Sequence, residues 1–163
     1  MELRPTTAKV RQALINIWRT ELAGAVFLDL CTGTGAVALA ARNAGARLVV
    51  AVDTSAKAIR RLEVHANRED FYTLRGTLPG CLAGLKTVFD LIYFDPPYAS
   101  GLYLPTLEAI VAHQLLAADG ELAVEHCSQV PLPEAYLCLK RTRQKHYGDT
   151  VLSFYQMLNG NPT

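Results

Sequence analysis

The amino-acid sequence predicts an α/β fold: a seven-stranded, doubly wound, mostly parallel sheet with an antiparallel edge. Three observations lead there. Short apolar runs alternate with stretches of helical periodicity, three of the runs carry an aspartate at their ends (Asp29, Asp53 and Asp95), and the last two are joined through Gly148-Asp149. Apolar runs separated by helices read as buried parallel strands, and a short Gly-Asp link suits an antiparallel hairpin.

Taken in order, Pro5-Thr6-Thr7 opens a helix that a threonine can cap. Val10, Ala13, Leu14, Ile17 and Trp18 then recur at helical spacing on one face, which should pack on the sheet. Strand one covers 25–30 and runs into Cys31-Thr32-Gly33-Thr34-Gly35 before an alanine-rich helical stretch at 36–44. Strand two covers 49–53, and a helix starting at Ser55 carries Ile59, Leu62 and Ala66. Strand three covers 71–74. The apolar residues 91–94, behind Val88 and Phe89, form strand four and stop at Asp95-Pro96-Pro97-Tyr98. A helix over 104–116 tolerates Pro105 in its first turn. Residues 121–125 are strand five, and 136–145 with 151–158 form the closing antiparallel pair.

Composition bounds the function. With 163 residues, half of them hydrophobic, one sizeable core is expected over 1–163, with an N-terminal helix in 1–22 and the doubly wound core in 23–163. The apolar runs are too short to span a membrane, and Met1-Glu2-Leu3-Arg4 lacks the apolar core of a signal peptide, so a cytoplasmic protein is expected. Cysteines at 31, 81, 127 and 138 contain no Cys-x-x-Cys pair, which argues for reduced, partly buried thiols. Histidines 65, 113, 126 and 146 show no ligand spacing, and no metal is expected.

Two loops carry chemistry. Pro96 and Pro97 donate no backbone hydrogen bond and hold φ nearly fixed, so the corner after Asp95 is stiff and rich in acceptors. The Asp95 carboxylate and a proline carbonyl can accept the two hydrogens of a planar amine, while Tyr98 offers a ring for stacking. In the other loop, Gly33 and Gly35 permit positive φ and close approach of a ligand. Ala38 stands where a dinucleotide fingerprint has its third glycine, and Asp29 would repel a diphosphate but suits a cationic amine or sulfonium. Asp53 lies 18 residues beyond Gly35 (53 − 35), where an acid accepts ribose hydroxyls.

With these motifs the chain resembles the class I S-adenosylmethionine-dependent methyltransferases, and specifically the bacterial guanine-N2 methyltransferases of small-subunit (16S) ribosomal RNA. The likeness rests on Arg4-Pro5-Thr6-Thr7 with Val10-Arg11, on 28–36, on 89–98 and on Tyr147-Gly148-Asp149-Thr150. It implies S-adenosyl-L-methionine as cofactor, held by Asp29, Cys31, Gly33, Gly35, Asp53, Thr54, Thr77 and Leu78. It implies that Asp95, Pro96, Pro97 and Tyr98 hold the target base, and that Arg4, Thr6 and Arg11 meet RNA. Such proteins usually have an aspartate where this chain has Thr77, which leaves adenine recognition to the backbone of Thr77 and Leu78. They also carry a basic, glycine-rich extension before the Arg-Pro-Thr motif, whereas here Met1 lies three residues before Arg4.

The implied substrate is ribosomal RNA, naked or within a small-subunit assembly intermediate, met by a monomer without metal or membrane. No separate domain for reading duplex DNA fits in this length, which favours structured RNA over DNA. The middle motifs are shared by adenine-N6 and glutamine-N5 methyltransferases, which remain alternatives. An inactive RNA- or protein-binding module that keeps the fold is a third reading. Net charge is only +1, so any RNA grip must come from clusters: Arg4, Lys9, Arg11 and Arg19 at the first helix, and Lys140, Arg141, Arg143, Lys145 and His146 near the last hairpin.

Overall fold

In the computed structural model, which describes residues 7–67 and 69–158, Thr7 caps the first helix by accepting the Val10 amide on Oγ1 at 3.2 Å. Two compact units divide the chain, Met1–Thr77 and Leu78–Thr163. The first contains α1 (Ala8–Ile17), α2 (Arg19–Leu22), β1 (Val26–Leu30), α3 (Ala36–Asn43), β2 (Leu48–Asp53), α4 (Ala56–Glu63) and β3 (Phe71–Arg75). Its strands lie in the order β3-β2-β1, all parallel, with Leu28 opposite Val50 and Ala51 opposite Thr73.

The apolar pattern explains this packing. Every residue of β1 is buried, as a strand covered on both faces must be. Val10, Leu14 and Trp18 are buried while Ala13 and Ile17 are half-buried, so the stripe read from the sequence is real but narrower. Trp18 meets Phe27 of β1 edge-on, with ring centroids 6.0 Å apart. Ser55 caps α4 by accepting the Ala58 amide at 3.1 Å. Ala66 lies outside α4, because the chain tightens into three-residue turns, with His65 N donating to Leu62 O and Ala66 N to Glu63 O.

The second unit contains a short 3-10 helix (Gly80–Gly84), β4 (Phe89–Phe94), α5 (Tyr103–Ala112), β5 (Leu116–Cys127), β6 (Ala135–Tyr136), β7 (Leu139–Tyr147) and β8 (Thr150–Met157). Its strands lie in the order β4-β5-β8-β7-β6; β4 and β5 are parallel, and the remaining pairs are antiparallel. The α/β class and the antiparallel edge therefore agree with expectation, but the described residues form eight strands rather than seven. The added strand, β6, is two residues long and too short to carry a periodic signal. Two boundaries also differ. Helix α5 ends at Ala112, since Gln114 takes φ of 53° and turns the chain into β5. Strand β5 begins at Leu116, and its register with β4 shifts between the pairs Phe89↔Leu116 and Leu91↔Glu121.

Candidate active site

The turn after β1 is built around Asp29, whose side chain is 1% exposed. Cys31 takes φ of 64°, Gly33 56° and Gly35 82°, a run of left-handed backbone that swings the chain from β1 into α3. Thr32 anchors it at both ends: its amide donates to Val52 O at 2.9 Å, and its hydroxyl donates to Asp29 Oδ2 at 2.7 Å. The other carboxylate oxygen, Oδ1, is buried without a hydrogen-bond partner among the described residues. Burial pushes the Asp29 carboxyl up to about 7, opposed by the Thr32 hydroxyl and the Ala38 amide, while the charge of Asp53 adds to the rise. The Ala38 amide, in the first turn of α3, favours the ionised form without completing a bond of good geometry to Oδ1.

The two glycines do different work. A Cβ on Gly35 would lie 2.2 Å from Leu62 Cδ2, so Gly35 is required for the loop to close against α4. A Cβ on Gly33 would meet nothing within 4 Å. Of the pair, Gly33 borders space open to a ligand, and Gly35 serves packing.

Asp53 ends β2 and ties three segments together. Its Oδ2 accepts the Gly33 amide and its Oδ1 the Ser55 amide, both at 2.9 Å, while its carbonyl accepts the Gly76 amide at 3.0 Å. Each carboxylate oxygen keeps a further lone pair for a hydroxyl. Thr54 is exposed and its carbonyl accepts Arg75 Nε at 3.3 Å. Thr77, just beyond this knot, is exposed, and Leu78 is buried.

In the second unit, Asp95 follows the last residue of β4 and is half-buried, Pro96 is buried, and Pro97 and Tyr98 are exposed, Tyr98 by 53%. The Pro97 carbonyl accepts the Ser100 amide at 3.0 Å, so the turn already uses one of its two lone pairs. Of the two proline carbonyls, Pro96's is the one to weigh for an amine. Beside the corner, Glu125 is 5% exposed and accepts a hydrogen bond from the buried Tyr93 hydroxyl. The pairing Phe94↔Val124 makes Asp95 and Glu125 the next residues along two adjacent strands. Composition gave no sign of Glu125; its only signal was a charge at the end of an apolar run.

His126 is a satisfied core histidine. Its Nδ1 faces the Val130 carbonyl at 2.9 Å and must donate, so Nε2 accepts the Ser153 hydroxyl at 2.7 Å, and Ser153 in turn accepts from Gln144 at 2.9 Å. Burial holds its pKa below the ordinary value, and the charges of Arg141 and His146 lower it further. None of the four cysteines forms a disulfide among the described residues, and all are half-buried. Arg11 lies half-buried on α1, whereas Arg4 and Thr6 fall outside the described residues. Among the described residues, no cluster of three or more His, Cys, Asp or Glu could hold a metal ion, and no helix is long and apolar enough to cross a membrane.

A family model described as "Conserved hypothetical protein 95" matches residues 1–156. The chain belongs to this family. It is 31% identical over 160 residues to "Putative rRNA methyltransferase YlbH" of Bacillus subtilis (strain 168), covering 94% of this chain and 87% of that protein. It is 27% identical over 158 residues to "Ribosomal RNA small subunit methyltransferase D" of Escherichia coli (strain K12), covering 94% and 79%. Among solved structures, "Putative methyltransferase yhhF from Escherichia coli" superposes with a TM-score of 0.83 at 25% identity, over 95% of this chain and 87% of that one. The fold is that of the class I methyltransferases, and the family resemblance read from the motifs holds.

Proposed function

We propose that this protein is an S-adenosylmethionine-dependent methyltransferase that acts on the exocyclic N2 amine of a guanine in small-subunit ribosomal RNA. The observation that carries the reading is the corner after β4: a half-buried acid, a proline-stiffened turn and an exposed tyrosine in four successive residues. The names of the related proteins support ribosomal RNA as the substrate class.

The first unit suits the cofactor. A sulfonium or amine cation fits beside a buried carboxylate oxygen that has no partner among the described residues, next to a glycine with open space before it. Asp29, Cys31 and Gly33 would hold the methionine part, with Gly35 acting through the shape of the loop, Asp53 and Thr54 the ribose, and Thr77 and Leu78 the adenine. When bound, S-adenosylmethionine would supply an electrophilic methyl group to the amine nitrogen, its sulfur keeping the electron pair of the broken S–C bond and leaving as a neutral thioether.

The chain's own task is alignment, for which the two units act as one catalytic domain over 1–163. Asp95 and the Pro96 carbonyl accept the two amine hydrogens and aim the nitrogen lone pair, a near-attack geometry that removes several kcal/mol of barrier. Tyr98 stacks on the base, a contact of roughly 1–3 kcal/mol. Once alkylated, the nitrogen is acidic and gives its proton to Asp95 or to water, so no strong base is needed. The base must be unstacked or lie in a loop to reach this corner.

Incubation of RNA, DNA and protein fractions with labelled cofactor, followed by mass mapping of nucleotides, tests the reading. N2-methylguanine in small-subunit RNA is expected, and Asp95→Ala should abolish transfer while cofactor binding by calorimetry persists. Label in protein or DNA alone, or undiminished transfer by Asp95→Ala, would overturn it.

A further inference from the structure

The second unit is acidic except along one strand. Its lysines and arginines are Lys86, Lys140, Arg141, Arg143 and Lys145, against eight Asp and Glu, and four of those five cations lie in β7. A hairpin cluster of five basic groups was expected to act together, but the register divides it. Lys140 is opposite Gln156, Arg143 opposite Phe154 and Lys145 opposite Leu152, alternate residues of β8 that share one face. Arg141, opposite Tyr155, and His146, opposite Val151, lie on the other face.

A register irregularity between Arg141 and Arg143 makes this alignment. Without that bulge, Lys140 would fall on the face opposite Arg143 and Lys145. Beyond Lys140, where β6 stops pairing with it, β7 is a free edge on which lysines also block aggregation, but that purpose needs no common face. Arg143 is held in place by Glu121 at 3.0 Å and by the Phe154 ring, 4.7 Å from its guanidinium carbon to the centroid. Lys140 and Lys145 are exposed.

The row also points at the amine-binding corner. Phe94 pairs with Val124, Glu125 with Leu152, and Leu152 with Lys145, so Asp95, Glu125, Leu152 and Lys145 succeed one another across four strands at the same height. Side chains alternate by strand position, which puts all four on the same face. Three strand spacings separate Asp95 from Lys145, roughly 14 Å. From Lys145 the row continues down β7 to Lys140, a further five residues, or roughly 15 Å. That length faces a few successive phosphates of one strand.

The geometry points to Lys140, Arg143 and Lys145 as a phosphate rail that carries the RNA strand flanking the target base. The inference rests on the proposed RNA substrate and specifies where its backbone lies. Arg143 is partly neutralised by Glu121, so the two lysines carry most of the contact.

The test uses the full chain, a small-subunit ribosomal RNA transcript, and Lys140→Gln with Lys145→Gln in one variant. Binding is measured against salt. The variant should bind roughly tenfold more weakly at low salt, and its log–log salt slope should flatten by about 0.7 for each lysine removed. Its KM for RNA should rise while kcat at saturating RNA and cofactor affinity stay unchanged. A matched control, Arg47→Gln with Lys86→Gln, removes two exposed cations elsewhere. An equal loss in the control, or an unchanged slope in the lysine variant with wild-type methylation of RNA, would overturn the rail and leave the proposed function standing. Unchanged binding to the naked transcript with weakened binding to the assembled small-subunit particle would assign the strand to a protein partner, and overturn it too. If the wild-type chain binds and methylates no RNA, both readings fall together.

Discussion

At the scale of single residues, Asp29 is the costliest group in the first unit. A carboxyl 1% exposed, with one oxygen unpartnered among the described residues, is held protonated to about pH 7 by burial. A bound cation reverses that balance by favouring the ionised form, so binding must displace a proton below about pH 7. Affinity for S-adenosylmethionine should therefore rise with pH up to about 7 and then level off, by at most tenfold per pH unit. Calorimetry in buffers of different ionisation heat would show the proton release at acid pH. Asp29→Asn should weaken binding by roughly 1–3 kcal/mol and remove its pH dependence. A wild-type affinity flat from about pH 5.5 to 8.5 would exclude Asp29 as the cation's partner. The sequence showed this residue's type and place but not its environment, because burial and an unfilled lone pair arise only when Thr32 closes over it.

At the scale of elements, the turn between β1 and α3 was legible as strand, glycine loop and helix, but the division of labour between its glycines was not. Both take positive φ, and only the contact with Leu62, 27 residues away (62 − 35), separates them. Gly35→Ala should destabilise the fold by roughly 2–3 kcal/mol through overpacking and a left-handed alanine. The cost should shrink in a Leu62→Ala background, a coupling that urea unfolding of the double-mutant cycle would reveal. Gly33→Ala should cost only about 1–2 kcal/mol from its backbone, yet impair cofactor binding far more than Gly35→Ala does after correction for stability. Strand β5 teaches the same lesson. Its sequence-read start at 121 missed the segment from Leu116, because the chain leaves register there and returns through Gly120, where a Cβ would lie 2.7 Å from Asp90 O. Gly120→Ala should thus lower the thermal midpoint by several degrees, roughly 2 kcal/mol of destabilisation, although a helix-or-strand pattern alone would rate it harmless.

At the scale of the whole molecule, the α/β class was legible because parallel strands leave uninterrupted apolar runs, such as the fully buried Val26–Leu30, and helices leave 3.6-residue stripes. Pairwise registers and bulges leave no such trace, which is why the basic cluster of β7 read as one group and folded as two. Stability against pH joins both units through groups the pattern could not rank. Asp29 has a folded pKa raised from 3.8 to about 7, so its stabilising contribution is full below pH 3.8 and is lost as pH rises toward 7, a loss of the order of 4 kcal/mol. His126 has a folded pKa lowered from 6.5, so its contribution is full above pH 6.5 and is lost as pH falls through that value. The two trends oppose each other where their pH windows overlap, so the ligand-free protein's stability should change little with pH just below 6.5 and fall as pH rises from there toward 7. Asp29→Asn should unmask a stability that falls as pH drops below 6.5, and His126→Gln one that falls steadily as pH rises from about 4 to 7. Urea midpoints of the three proteins across that range decide it: a wild-type stability that climbs steadily from pH 4 to 7 would mean that Asp29 is ionised in the native fold, and the cation site would lose its physical basis.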